Sequence, residues 1–238
     1  MTKIKICGIK TLPDALAAIE AGADLLGFNF YPKSPRSINA AACRQITLGL
    51  REKYPGLLLV GVFVNSPADE IRAILQAAGL DLAQLHGDET PQMLAELGPL
   101  AFKAVRLPSA ILQRECDIQS VLDSAFVRDC AAGSADRPRL LLDASAPGLY
   151  GGSGLTTDWA AAAQIARQHP ILLAGGLTPA NVAQAVRQVQ PWGVDVASGV
   201  ESSPGVKNPQ KMKKFVEQVH SKQSLAIGNF RPSLTNPQ

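Results

Sequence analysis

The parts of this 238-residue sequence that could do chemistry are a thiol, a carboxylate, a guanidinium and a few glycine pairs. The thiol is Cys7, which follows a short apolar run and precedes Gly8. A lone cysteine commonly serves as a small buried hydrophobe. In a cationic or amide-rich setting its thiolate can instead take a proton from carbon. The carboxylate is Asp143, directly after Leu140, Leu141 and Leu142. Burying it unpaired is costly, so it must face a polar cavity, either capping a loop amide or acting as general acid or base. Glycine lets backbone N–H groups come close to an anion, and phosphate suits Gly151-Gly152 with Ser153-Gly154, Gly175-Gly176, and Ser198-Gly199. Arg36 and Lys33 lie between prolines in FNFYPKSPRSI (28–38). The arginine fork fits a carboxylate, although a solvated loop charge would look the same in sequence. His86 reads as a hydrogen-bonded residue or a substrate contact, and Asp195 as a partner of a substrate hydroxyl or of a neighbouring loop.

Such groups act only if the chain brings them together. Eight apolar runs alternate with amphipathic stretches: Ile4–Cys7, Leu25–Phe30, Leu57–Val64, Leu82–Leu85, Leu100–Val105, Leu140–Asp143, Ile171–Ala174 and Val194–Ala197. Their near-continuous apolarity suits parallel strands covered on both faces. Helices are predicted at Leu12–Ala21, Pro67–Ala78, Pro179–Gln190 and Pro209–His220, with prolines near the starts and glycine or proline at most of the stops. Eight strand–helix units in one domain of this length favour a (β/α)8 TIM barrel over a doubly wound sheet. Every candidate above except Asp195, which lies within its run, stands at or after the C-terminal end of a run, where barrels place their chemistry. Strands one and six lie well apart around such a ring, so Cys7 and Asp143 could flank a substrate. The expected barrel covers residues 1–221 and 222–238 is a flexible extension; the long Arg106–Arg139 connection holds a helix around Ile118–Cys130.

Composition narrows the class. Hydrophobic residues are 46% of the chain and charged residues 18%, which excludes a disordered polymer. A formal charge of +3 with scattered basic residues indicates no nucleic-acid partner. No run is long enough to span a membrane, and no signal core opens the sequence. Four cysteines without a C-x-x-C pair read as free thiols, and hence as a cytoplasmic protein. The outer helices fit a monomer or a homodimer, and a monomer is expected.

Taken together, KICGIK (5–10), GFNFYPKSPRSI (27–38), VGVFVN (60–65), QLHGDE (84–89), LLLDAS (140–145), GGSG (151–154), LAGGLTPANV (173–182) and GVDVASGVESSPGVKN (193–208) resemble the phosphoribosylanthranilate isomerase family. The likeness runs in order from residue 3 to about 220. It implies an Amadori rearrangement of a small phosphoribosyl substrate without metal or organic cofactor. It also implies Asp143 as general acid, Cys7 as general base, and Arg36 on the anthranilate carboxylate. The phosphate would be cradled by Gly175, Gly176, Ser198 and Gly199. From their places in the sequence, and not from the resemblance, His86 and Asp195 are expected as further substrate contacts. Leu155 and Thr157 depart from the family's pattern but touch none of these groups. Three rivals fit less well. An indole-glycerol-phosphate synthase would use lysine and glutamate at strand ends, whereas Lys5 precedes Cys7 by two and Lys103 lies within strand five. A histidine-pathway aminoaldose isomerase would end strand one in aspartate. A non-catalytic phosphosugar-binding barrel would need no thiol opposite a carboxylate.

Overall fold

Alternate strand positions sort into two apolar layers, the arrangement that a ring of strands wrapped in helices requires. The computed structural model describes residues 1–106, 137–143 and 159–221. Its strands are β1 (Lys3–Cys7), β2 (Leu25–Asn29), β3 (Leu58–Phe63), β4 (Leu82–Leu85), β5 (Ala101–Arg106), β6 (Leu140–Asp143), β7 (Ile171–Ala174) and β8 (Gly193–Val196). Each pairs in parallel with the next, and β8 returns to β1 from Lys3↔Gly193 to Ile6↔Val196. That last pairing makes a (β/α)8 barrel and excludes the open doubly wound sheet. Leu25, Val60, Leu82, Phe102, Leu141 and Leu172 fill the interior. Their strand neighbours Ile6, Leu26, Leu59, Leu140, Leu142 and Leu173 pack outward beneath the helices.

The described helices are α1 (Leu12–Ala21), α2 (Ala40–Arg51), α3 (Ala68–Ala78), α4 (Pro91–Leu97), α5 (Trp159–Ala166), α6 (Val182–Val189) and α7 (Pro209–His220). Thr11, Asn39, Thr90 and Asn208 accept from backbone N–H groups in the first turns of α1, α2, α4 and α7. Each such cap is worth about 1 kcal/mol. Helix α7 packs on both α1 and α6, closing the outer ring as the sequence suggests. The helix expected from Pro179 begins three residues later at Val182. Thr178–Asn181 forms a turn of its own, in which the Asn181 side chain accepts from Thr178 N (2.8 Å) and donates to the Gly176 carbonyl (3.0 Å).

One element escapes the sequence reading: a short hairpin of β9 (Glu201–Ser203) and β10 (Val206–Lys207). Two or three residues per strand are too few for a period to show. The expected helix around Ile118–Cys130, the Gly151–Gly154 string with Leu155 and Thr157, and the 222–238 extension lie outside the described residues. At the opposite end of the barrel, Lys3, Leu25, Leu58, Arg137 and Trp192 line a cleft of about 330 Å³. It lies at the N-terminal ends of the strands, where barrel residues serve stability. No helix among the described residues is long and apolar enough to cross a membrane.

Candidate active site

Register decides which side chains enter the barrel mouth. Lys5 pairs with Leu25 and with Asp195, and Cys7 pairs with Gly27. Leu25 belongs to the interior layer, so Lys5, Cys7, Gly27 and Asp195 share its inward face. By the same alternation Asp143, two residues after interior Leu141, points inward from the end of β6. Strands β1 and β6 are separated by β7 and β8 on the shorter way round, so the thiol and the carboxylate enter from different sides.

Cys7 is buried, as is Cys43 on α2, and both are free thiols. Burial alone pushes the Cys43 thiol up to about 12, which suits inert packing. Cys7 differs in its neighbours. Burial also raises its thiol, but the Lys5 ammonium opposes that rise. Lys5 is fully buried and donates to Asp195 Oδ1 at 2.7 Å. Asp195 is therefore held by an interior lysine, a partner different from the loop considered from sequence.

Asp143 stands beside His86, whose Nε2 lies 3.5 Å from Asp143 Oδ2. The other ring nitrogen, Nδ1, is 2.8 Å from Gln84 Nε2. Donation by that amide puts the ring proton on Nε2, the nitrogen facing Asp143. His86 rides on a braced turn. Lys103 donates to the carbonyls of Leu85 (3.2 Å) and Gly87 (2.7 Å) and to Glu89 Oε2 (2.8 Å). Glu89 in turn accepts from the backbone of Asn65 and Gly87. Lys103 alternates with interior Phe102 and Ala104, so it faces outward and is spent on this brace.

Arg36 is no solvated loop charge. Its Nε and Nη2 grip both oxygens of Glu201, at 2.8 and 2.6 Å. Glu201 also accepts from Lys207 at 2.8 Å, and Lys207 donates to the Ala197 carbonyl. Burial pushes the Glu201 carboxyl up, but the bonds from Arg36 and Lys207 more than offset it and hold it below the ordinary glutamate range. The β9–β10 hairpin thus fixes the guanidinium by one edge and leaves its Nη1 side for another acceptor. Gly8 makes room for the arginine stem, because a Cβ there would come within 2.6 Å of Arg36 Cδ.

The two described glycine loops meet at the same end of the barrel. Gly175 and Gly176 follow β7 with φ of 90° and 61°, a left-handed backbone that favours glycine. Ser198–Val200 forms a single 3-10 turn after β8. A Cβ on Gly199 would run into the Leu177 carbonyl, so glycine lets the second loop lie against the first.

A sequence profile described as N-(5'phosphoribosyl)anthranilate (PRA) isomerase matches residues 4–218. The chain belongs to this family. The N-(5'-phosphoribosyl)anthranilate isomerase of Roseiflexus sp. (strain RS-1) is 46% identical over 221 residues, covering 91% of this chain and 96% of that protein. The crystal structure of the Thermotoga maritima isomerase superposes with a TM-score of 0.78 at 37% identity, covering 93% of this chain and all of that one. An isomerase in complex with reduced 1-(o-carboxyphenylamino)-1-deoxyribulose 5-phosphate gives 0.74 at 34%, with coverages of 93% and 100%.

Sequence reasoning passed over Gln84, Glu89, Glu201 and Lys207, which orient the site from behind. Glu201 lies in the quoted string GVDVASGVESSPGVKN, so its position was visible. Its partner Arg36 is 165 residues away, and only the closed ring brings the two together.

Proposed function

We propose that this chain isomerises N-(5-phosphoribosyl)anthranilate to 1-(2-carboxyphenylamino)-1-deoxyribulose 5-phosphate in tryptophan biosynthesis, with Asp143 as general acid and Cys7 as general base. One observation carries the assignment. A thiol and a carboxylate enter the same barrel mouth from different strands, and a fixed guanidinium and two glycine loops stand at that end.

The acid comes first. Asp143 gives its proton to the ribose ring oxygen, the C1–O bond breaks onto that oxygen, and the nitrogen lone pair makes a C1=N iminium. The iminium withdraws electrons from C2. Cys7, as thiolate, accepts the C2 proton; the C–H pair forms C1=C2, and the C=N pair returns to nitrogen. The resulting enolamine becomes the ketone by losing its hydroxyl proton and gaining one at C1. That tautomerisation is proton-neutral, so one proton must pass from Cys7 to Asp143, directly or through solvent, before the next turnover. Because the iminium already acidifies C2, separate acid and base groups suffice.

The other residues hold the substrate. The free edge of Arg36 takes the anthranilate carboxylate, and the backbone around Gly175, Gly176, Ser198 and Gly199 takes the phosphate. His86 and the remaining oxygen of Asp195 face ribose hydroxyls, while His86 Nε2–H steadies the Asp143 carboxylate. The free Cys7 and Cys43 thiols suit a cytoplasmic enzyme.

The test is a steady-state assay on the purified chain. Substrate is generated in situ from anthranilate and phosphoribosyl pyrophosphate, and turnover is followed as loss of anthranilate-type fluorescence. Turnover that Asp143→Asn abolishes supports both activity and acid. Saturable binding without turnover would turn the chain into a binding barrel.

A further inference from the structure

Lys5 is a fully buried charged group for which the proton transfers above have no use. We infer that the Lys5 ammonium is the charge partner of the Cys7 thiolate, favouring the ionised base against the cost of its burial when C2 must lose its proton, and that Asp195 fixes the ammonium in place. The inference rests on Cys7 being the base and adds how a buried thiol can serve as one.

The geometry comes from β1 and its two neighbours. Lys5 and Cys7 are two residues apart on one strand and point into the barrel together. Across the β1–β2 pairing stands Gly27, opposite Cys7. A Cβ on Gly27 would lie 2.8 Å from Cys7 Sγ and 3.1 Å from Lys5 Nζ. The missing side chain leaves the slot in which thiol and ammonium meet. On the other side β8 supplies Asp195, whose carboxylate holds Nζ at 2.7 Å. Burial pushes the Lys5 ammonium toward neutrality, but the Asp195 carboxylate and the Cys7 thiolate together more than offset it, so Lys5 stays charged.

A role in stability alone explains this arrangement poorly. A buried ion pair contributes little net stability against an apolar replacement of the same volume. A thiolate beside the ammonium gives the charge something to do. The charged groups facing Cys7 are Lys5 on its own strand, Asp195 on β8, Lys207 on β10, and Arg36 after β2. Glu201 spends its charge on the last two. After burial, which disfavours the thiolate, the largest influence on Cys7 is the Lys5 charge that favours it. Lys5 keeps its own proton throughout: the thiolate takes the C2 proton, becomes a neutral thiol, and the ammonium reverts to Asp195 alone.

The experiment measures the pH dependence of Cys7 alkylation by iodoacetamide, read on the Cys7 peptide by mass spectrometry. It compares the wild-type chain, Lys5→Met, Lys5→Arg and the double variant Lys5→Met/Asp195→Asn. The midpoint should move up by about one to three pH units in Lys5→Met, the usual effect of losing an opposite charge at contact distance, and return toward wild type in Lys5→Arg. Should Lys5→Met fail to fold with Asp195 left unpaired, the double variant removes both charges, and its midpoint should still rise. In folded Lys5→Met the kcat should fall with KM little changed. Unshifted midpoints in every folded variant, even with lowered thermal stability, would overturn the inference. A wild-type rate in Cys7→Ser would instead remove the base assignment on which it rests, and the two failures are separately visible.

Discussion

Two buried cysteines of one barrel differ by what stands next to them. Cys43 belongs to the apolar cluster between the strands and the helices, and burial pushes its thiol out of the reactive range. Cys7 meets a lysine, across a glycine, at the mouth where the chemistry must occur. Replacing the acid or the base should therefore be costly while leaving the fold intact. Cys7→Ser and Asp143→Asn should each lower kcat by at least about 10²-fold, the range for losing one acid–base group, with far-UV circular dichroism unchanged. Burial holds the Cys7 thiol above its ordinary value, so the thiolate fraction grows with pH across the neutral range. The base-dependent limb of kcat/KM should accordingly still be rising above neutrality, and Cys7→Ser should erase that limb. Arg36→Met should mainly raise KM, because its contact with the substrate carboxylate is made alike in ground and transition states.

At the scale of elements, the β9–β10 hairpin is the part that turns a loop arginine into a fixed one. Glu201 and Lys207 sit on its two strands, and Gly205 at its turn has φ of 81°. A Cβ on Gly205 would lie 2.6 Å from the Pro35 carbonyl, so the hairpin tip lies against the arginine loop. Glu201→Gln leaves two cations with one neutral acceptor. It should cost about 3 kcal/mol of stability, as breaking a buried charged network does, and should raise KM in the manner of Arg36→Met. The pH sense is fixed by the lowered folded pKa of Glu201. Its contribution is fully present above the ordinary glutamate value and is lost as pH falls through the lower folded one. Thermal melting against pH should show the wild type losing stability through that window, and Glu201→Gln following a flatter acid limb. These elements also show what a sequence can and cannot display. Strand runs such as Leu82–Leu85 and Ile171–Ala174 agree with the structure end for end, because an apolar run buried on both faces is written in consecutive residues. That Cys7, Asp143, Gly175-Gly176 and Ser198-Gly199 stand at one end of the barrel was legible because strand ends converge on one mouth. The hairpin, the Gln84–His86 contact and the Lys103–Glu89 brace were not. The hairpin and the brace join polar residues whose proximity depends on register across strands, and the Gln84–His86 contact, between residues two apart, depends on how the two side chains turn at the strand end.

The whole molecule is a closed ring whose two ends do different work. Interior leucines and the wrapped helices hold the strands, and the C-terminal rim carries the charged groups that face one another. Five large apolar side chains are exposed among the described residues, Met1, Leu12, Leu48, Leu100 and Val206, and they lie on five separate segments. We propose that the chain is a monomer: sedimentation should find a single 25.1 kDa species, and a doubled mass would overturn the proposal. We propose that the barrel ends at residue 221; a chain stopped after Ser221 should keep its rate and melting temperature. The central claim is that acid and base duties are divided between Asp143 and Cys7. The deuterium isotope effect on substrate labelled at ribose C2 tests it most directly. Cys7→Ser slows C2–H removal and should show a full primary effect, whereas Asp143→Asn slows ring opening, before that bond is touched, and should show almost none. Equal isotope effects in the two variants would contradict the division.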